Sequence, residues 1–316
     1  MRLLSNRKVQ LALNGGFGLA LLGVAFFSVR HFAGGGWPIH HADPVLVSCS
    51  AILFLAAYAF KAWGWQRLFH ADERPGAGAL AFAGGAACVG GIALPGRFDD
   101  ALRIAVVKRF PGTKVGLGTL GISLLVVGML DNAALTPMAS VAAAGSSHWT
   151  TRAGFAVVAA AGVAAAGIVA FLPRLVCLPV VQRYRLGRWL GEHTHCTREA
   201  WAAWLFVSIS WSLRGVAVFL LLNALSMPGS FVLALAFLVA SAASAALPIA
   251  PAGAATQAGA GAAILALSGV GTAHALAFSI AAQALVIVTG AAVILLVAAW
   301  QLALRFRRPR PAEAPA

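Results

Sequence analysis

A short apolar run that stops on a proline–glycine pair constrains this chain more than any other feature. Ala79 to Leu94 is about 16 residues without a charge, whereas a helix needs about 20 to cross the hydrocarbon core of a membrane. Pro95 and Gly96 then break the helical pattern, since one lacks the N–H a helix needs and the other gives up backbone order cheaply. Arg97 follows, and a second segment runs from Phe98 to Phe110. Asp99 and Asp100 fall in its first turn, where carboxylates complement the positive end of a helix. Phe98, Leu102, Ala105 and Val106 share one face, with Arg103 and Lys108 off it. Arg109 falls nearer the apolar face, at the end, where it can snorkel to water. An apolar half-helix, a break and a basic half-helix predict a hairpin that enters a membrane and returns. Non-helical backbone at membrane depth is tolerated only where protein or a water-filled cavity surrounds it, so the hairpin is expected to line a site.

The rest of the chain fits a membrane. Of 316 residues, 60% are hydrophobic and 10% charged, which excludes a soluble domain and leaves no long polar stretch for a second one. The net charge of +14 would suggest nucleic acid in a soluble protein. Here the basic residues fall in loops, as the positive-inside rule requires, and no nucleic acid is expected. The four cysteines, Cys49, Cys88, Cys177 and Cys196, show no CxxC spacing, so neither a disulfide nor a metal is implied.

Taken in order, the hydropathy predicts six full spans: one to about Val29 after the basic Met1–Lys8, then Val45 to Trp65, Val115 to about Pro137, Ala153 to Leu172, Ala200 to about Leu225, and Ala273 to Trp300. Lys61, Trp63 and Trp65 read as interfacial anchors. A second short run, Phe231 to Leu247, is stopped by Pro248 and Pro251 and resumes with Gly253 in the segment Ala252 to Ser268. The fold class is therefore all-α: a polytopic membrane protein with six transmembrane helices plus two re-entrant helical hairpins. With the N-terminus in the cytoplasm, the external segments hold only Arg30 and Arg152 as Arg or Lys. The halves, about 1–138 and 153–300, then repeat the same order in opposite orientation, an inverted repeat of the transporter kind. Together they make one transmembrane domain over 1–300. Residues 301–316 form a basic, proline-rich tail, and both termini are placed on the cytoplasmic side of the cell membrane.

Leu94-Pro95-Gly96-Arg97, with Asp99-Asp100-Ala101-Leu102-Arg103 and the basic end Lys108-Arg109, resembles the first signature of the lysylphosphatidylglycerol synthase transmembrane, flippase-like family. Pro248-Ile249-Ala250-Pro251-Ala252-Gly253-Ala254-Ala255-Thr256-Gln257 resembles its second, a Pro-Gly-Gly-x-Gly run leading to a polar residue, with Ala252 and Ala255 where glycine is usual. The resemblance covers nearly the whole chain. It implies an integral membrane protein that translocates or distributes lipids, and, without the soluble synthase domain, no aminoacylation.

The site expected from these pieces binds a lipid headgroup phosphate near the bilayer midplane. Arg97 and Arg103 of the first hairpin supply guanidinium groups, which recognise phosphate bidentately. Thr256 and Gln257, at the start of the helix after Pro251, supply contacts from the other side. Pro95, Gly96, Pro248, Pro251 and Gly253 make the hairpin breaks. Asp131 and Arg214, both inside spans, are expected to form an ion pair between the halves, because charges in membranes usually pair. The partner is a membrane lipid, an anionic phospholipid or lipid phosphate; a homo-oligomer is left open. No cofactor, metal or enzymatic activity is expected, and with no ATP-binding motif net movement would draw on gradients. Two other readings are a membrane enzyme on a lipid-linked substrate, for which His40, His41 and Asp43 on an outer loop would be the acid, and a partner protein that holds lipid without moving it. Gly116-Leu-Gly118-Thr-Leu-Gly121 matches a nucleotide-loop spacing but opens a span, which points to helix packing. His193, His195 and Cys196 fit no zinc spacing.

Overall fold

The structure is a computed structural model that describes residues 42–91, 98–176, 178–183, 197–227, 229–245 and 253–307. Two compact units divide the chain, Met1–Ala42 and Asp43–Ala316; all elements described belong to the second. The expected first span, His40 and His41, Pro95, Gly96, Arg97, Pro248 and Pro251 lie outside the described residues, as do His193, His195 and Cys196.

Among the described residues the structure is helical throughout. The elements are α1 (Pro44–Gln66), α2 (Ala77–Gly90), α3 (Phe98–Arg109), α4 (Leu117–Gly145), α5 (Trp149–Val176), the single turn α6 (Pro179–Gln182), α7 (Thr197–Ala224), α8 (Phe231–Ala245), α9 (Gly253–Leu267) and α10 (Thr272–Arg307). Five of them, α1, α4, α5, α7 and α10, are long and apolar enough to cross a membrane. The chain is thus a multi-pass membrane protein. α2, α8 and α9 are apolar but short, and α3 carries acids in its first turn and bases in its last, as its dipole favours.

Local chemistry explains the helix ends. Asp43 caps α1: its Oδ1 accepts from the N–H groups of Val45 at 2.8 Å and Leu46 at 3.4 Å, with Pro44 at the first helical position where its missing N–H is harmless. The residue proposed above as an external acid is therefore a helix cap. α4 does not end at Pro137, as the sequence suggested, but runs through it to Gly145. Asn132, Thr136 and Ser140 each donate from their side chains to the carbonyl four residues back. α10 likewise passes Trp300, where the last span was expected to end, and reaches Arg307.

The helices meet in matched sets. α1 lies along α7. α2 packs on α1, α3 and α10, and α8 packs on α7, α9 and α4. α3 touches α4, as α9 touches α10; α4 touches α7, as α10 touches α1. At the α1–α7 seam, Ser50 Oγ donates to Ala217 O and Ser210 Oγ to Ala57 O, both at 2.8 Å. Glycines bring backbones together elsewhere. A Cβ on Gly85 of α2 would stand 2.5 Å from Gly290 O of α10, and one on Gly162 of α5 would collide with Asn132 O and Thr136 Oγ1 of α4. Gly121 meets nothing and Gly116 only the side chain of Thr119, so neither makes the helix contact inferred from their spacing.

A central cavity lined by both halves

Near the ends of the short helices the bundle opens into a cavity of about 240 Å³. Tyr58 and Lys61 of α1, Cys88 of α2, Asp99 and Arg103 of α3, Arg214 of α7, Gln257 of α9 and Gln283 of α10 all line it. Apolar residues such as Leu80, Leu124 and Val286 complete the wall. A pocket this polar inside an apolar bundle is costly unless its groups are paired or await a ligand.

Each charge at the cavity has a different fate. Lys61 Nζ lies 2.7 Å from Asp131 Oδ2, with about a fifth of each side chain exposed. The other carboxylate oxygen, Asp131 Oδ1, accepts from the indole Nε1 of Trp211 at 2.8 Å. Arg103 is bracketed by its own helix: Nη1 lies 2.6 Å from Asp100 Oδ1 and Nη2 3.3 Å from Asp99 Oδ2. Arg214 has its guanidinium carbon 5.0 Å from the Trp211 ring and 5.6 Å from the Tyr58 ring, and its Nε is buried with no hydrogen-bond partner.

The ion pair expected between Asp131 and Arg214 is thus replaced. Lys61 and Trp211 have taken both oxygens of Asp131, and Arg214 stacks on aromatic rings instead. Lys61 is not an interfacial anchor either, because its amine turns inward to a carboxylate. Trp65, also read as interfacial, is buried and donates to Ser123 Oγ at 2.9 Å; Trp63 is exposed. Of the four residues expected to bind phosphate, the structure brings Arg103 and Gln257 to one cavity. Gln257 Oε1 accepts from Gln283 Nε2 at 3.3 Å, and its backbone carbonyl from Ser241 Oγ at 3.1 Å. Thr256 is half-buried beside Gln257, off the cavity wall among the described residues. Gly253 begins α9. Sequence reasoning did not single out Tyr58, Trp211 or Gln283. Gln283 carried no signal beyond being an amide in an apolar run. Among the described residues no group of three or more His, Cys, Asp or Glu is placed to hold a metal ion.

The family described as the lysylphosphatidylglycerol synthase TM region matches residues 13–294. The chain belongs to that family. The match takes in both segments that carry the resemblance, Leu94–Arg103 and Pro248–Gln257. No curated protein and no solved structure matches the chain. As a lysylphosphatidylglycerol synthase TM-region protein, it has a lipid-related role in a membrane.

Proposed function

We propose that this TM-region protein translocates phospholipid, holding an anionic headgroup in the central cavity while the acyl chains stay in the bilayer. The observation that carries the reading is the cavity itself: a charged pocket enclosed by an apolar bundle and lined by both short-helix pairs, α2/α3 and α8/α9. α2 has 14 residues, about 21 Å of helix at 1.5 Å per residue, against a hydrocarbon core about 30 Å thick. That length suits re-entrant hairpins whose tips meet near the midplane. The neighbours of the two halves correspond: α2 packs on α1 and α10 as α8 packs on α7 and α4, and α4 meets α7 as α10 meets α1, which supports the inverted repeat and hence a rocking transporter. Among the described residues Asp99, Asp100 and Asp131 are each bonded to a cation, which favours a binding site over one built on a carboxylate general acid or base.

The test is lipid translocation in proteoliposomes with fluorescent phosphatidylglycerol and phosphatidylethanolamine. Wild type should move the anionic lipid. Arg97→Ala should slow it, and Ala245→Trp, which fills the cavity from an exposed position at the end of α8, should stop it. Wild-type protein that moves no lipid under any imposed gradient would replace this reading with that of a lipid-holding partner.

A further inference from the structure

The phosphate subsite of a headgroup cavity must offer positive charge that the protein has not already neutralised. Arg103 fails that requirement, because two carboxylates of its own helix, Asp99 and Asp100, face its terminal nitrogens. Lys61 fails it too, with Asp131 at 2.7 Å. Arg214 meets it. Among the described residues no carboxylate lies in ion-pair range of its guanidinium, and its Nε is buried and unpartnered. The Trp211 and Tyr58 rings hold the group by its charge, and a cation held against an aromatic surface keeps its N–H hydrogens to give elsewhere. A buried, unbonded N–H costs free energy until something accepts from it.

The surroundings define what that acceptor is. Arg214 lines the same cavity as the Gln257 and Gln283 amides, which bond each other at 3.3 Å. Amide N–H groups beside one unneutralised guanidinium suit a compact, singly charged oxyanion. A phosphodiester is such a group: it carries one negative charge and two equivalent oxygens that match the fork of a guanidinium. Resting on the lipid-translocator reading, we propose that Arg214, on α7, is the phosphodiester receptor of the cavity, assisted by Gln257 and Gln283, and that Arg103 is a structural residue of α3. Among the described residues the phosphate subsite then belongs to the second half of the chain rather than to Arg103 of α3.

Binding tests this apart from transport. The full chain in detergent is titrated with dioctanoyl-phosphatidylglycerol, dioctanoylglycerol and inorganic phosphate, and bound ligand is read by native mass spectrometry. Dioctanoyl-phosphatidylglycerol should bind and dioctanoylglycerol, with the same chains and no phosphate, should bind at least about tenfold more weakly. Arg214→Gln should weaken the phosphatidylglycerol complex about tenfold or more, with partial recovery in Arg214→Lys, while Arg103→Gln changes it less than about threefold. Gln283→Glu sets a carboxylate in the same cavity and should weaken binding as strongly; it serves where Arg214→Gln does not fold. Competition by inorganic phosphate that also needs Arg214 supports the receptor and identifies a free anion as a second source of the same chemistry. Full affinity in Arg214→Gln or Gln283→Glu, or a loss in Arg103→Gln equal to that in Arg214→Gln, overturns the assignment. Arg214-dependent binding without translocation in vesicles sinks the translocator reading and leaves the receptor standing; translocation untouched by Arg214→Gln does the reverse.

Discussion

One carboxylate ties three helices together. Asp131 of α4 holds Lys61 of α1 through Oδ2 and Trp211 of α7 through Oδ1. Removing its charge strands an amine that has little water around it. Asp131→Asn should lower stability on the order of 3 kcal/mol, while the paired replacement of Lys61→Met with Asp131→Leu should recover only part of the loss, because it removes the stranded charge but leaves the Trp211 indole N–H without its acceptor. Thermal unfolding in detergent of the two variants against wild type measures the difference. The sequence made Asp131 and Arg214 visible as charges inside apolar runs, and visible charges are rightly suspected of pairing. It did not reveal the partner, since Lys61 and Asp131 are 70 residues apart and their relative depth depends on how α1 and α4 pack. Lys61 looked like an anchor because it stands near the end of its run beside two tryptophans. Gln283 gave no warning at all, since its role comes from the amide it meets on α9.

Between elements, glycine decides how closely axes approach. A methyl group on Gly162 would collide with Asn132 O and Thr136 Oγ1, and one on Gly261 of α9 would enter the Phe237 ring and Ser241 of α8. Gly162→Ala and Gly261→Ala should therefore each destabilise by about 1–3 kcal/mol. Gly128→Ala and Gly167→Ala, where no neighbour lies within 4 Å, should be neutral or stabilising by up to about 1 kcal/mol, the ordinary helix preference for alanine. Melting temperatures of the four single variants check the contrast. A count of glycines cannot separate these positions, because the four are alike in sequence and differ only in what faces them. Element existence was easier to read. The short lengths of α2, α8 and α9 and the breaks beside them follow from composition and proline alone. The end of α4 was misplaced because a proline was read as a stop, whereas the helix, packed along α5 and α7, continues through Pro137.

At the scale of the whole molecule, the α1–α7 seam exchanges with itself. Ser50 bonds the carbonyl of Ala217, and Ser210 bonds that of Ala57; each residue's counterpart lies 160 positions along the chain. The same spacing relates the ends of the seam, where Asp43 N donates to Ala224 O at 3.0 Å and a methyl group on Gly64 would stand 3.0 Å from Ala203 O. If the two sides are equivalent, Ser50→Ala and Ser210→Ala should cost the same, about 0.6 kcal/mol each, and the double variant about the sum. Unequal costs in matched unfolding experiments would show the seam to be lopsided. An interface that maps onto itself is isologous, the kind two identical subunits make. If the two sides are equivalent, each half would carry the means to recognise a second copy of itself. Cut in the connection at 146–148 and produced as separate pieces, the halves would not only rejoin but compete with self-pairing, and co-purification of two differently tagged copies of one half would read out that rivalry.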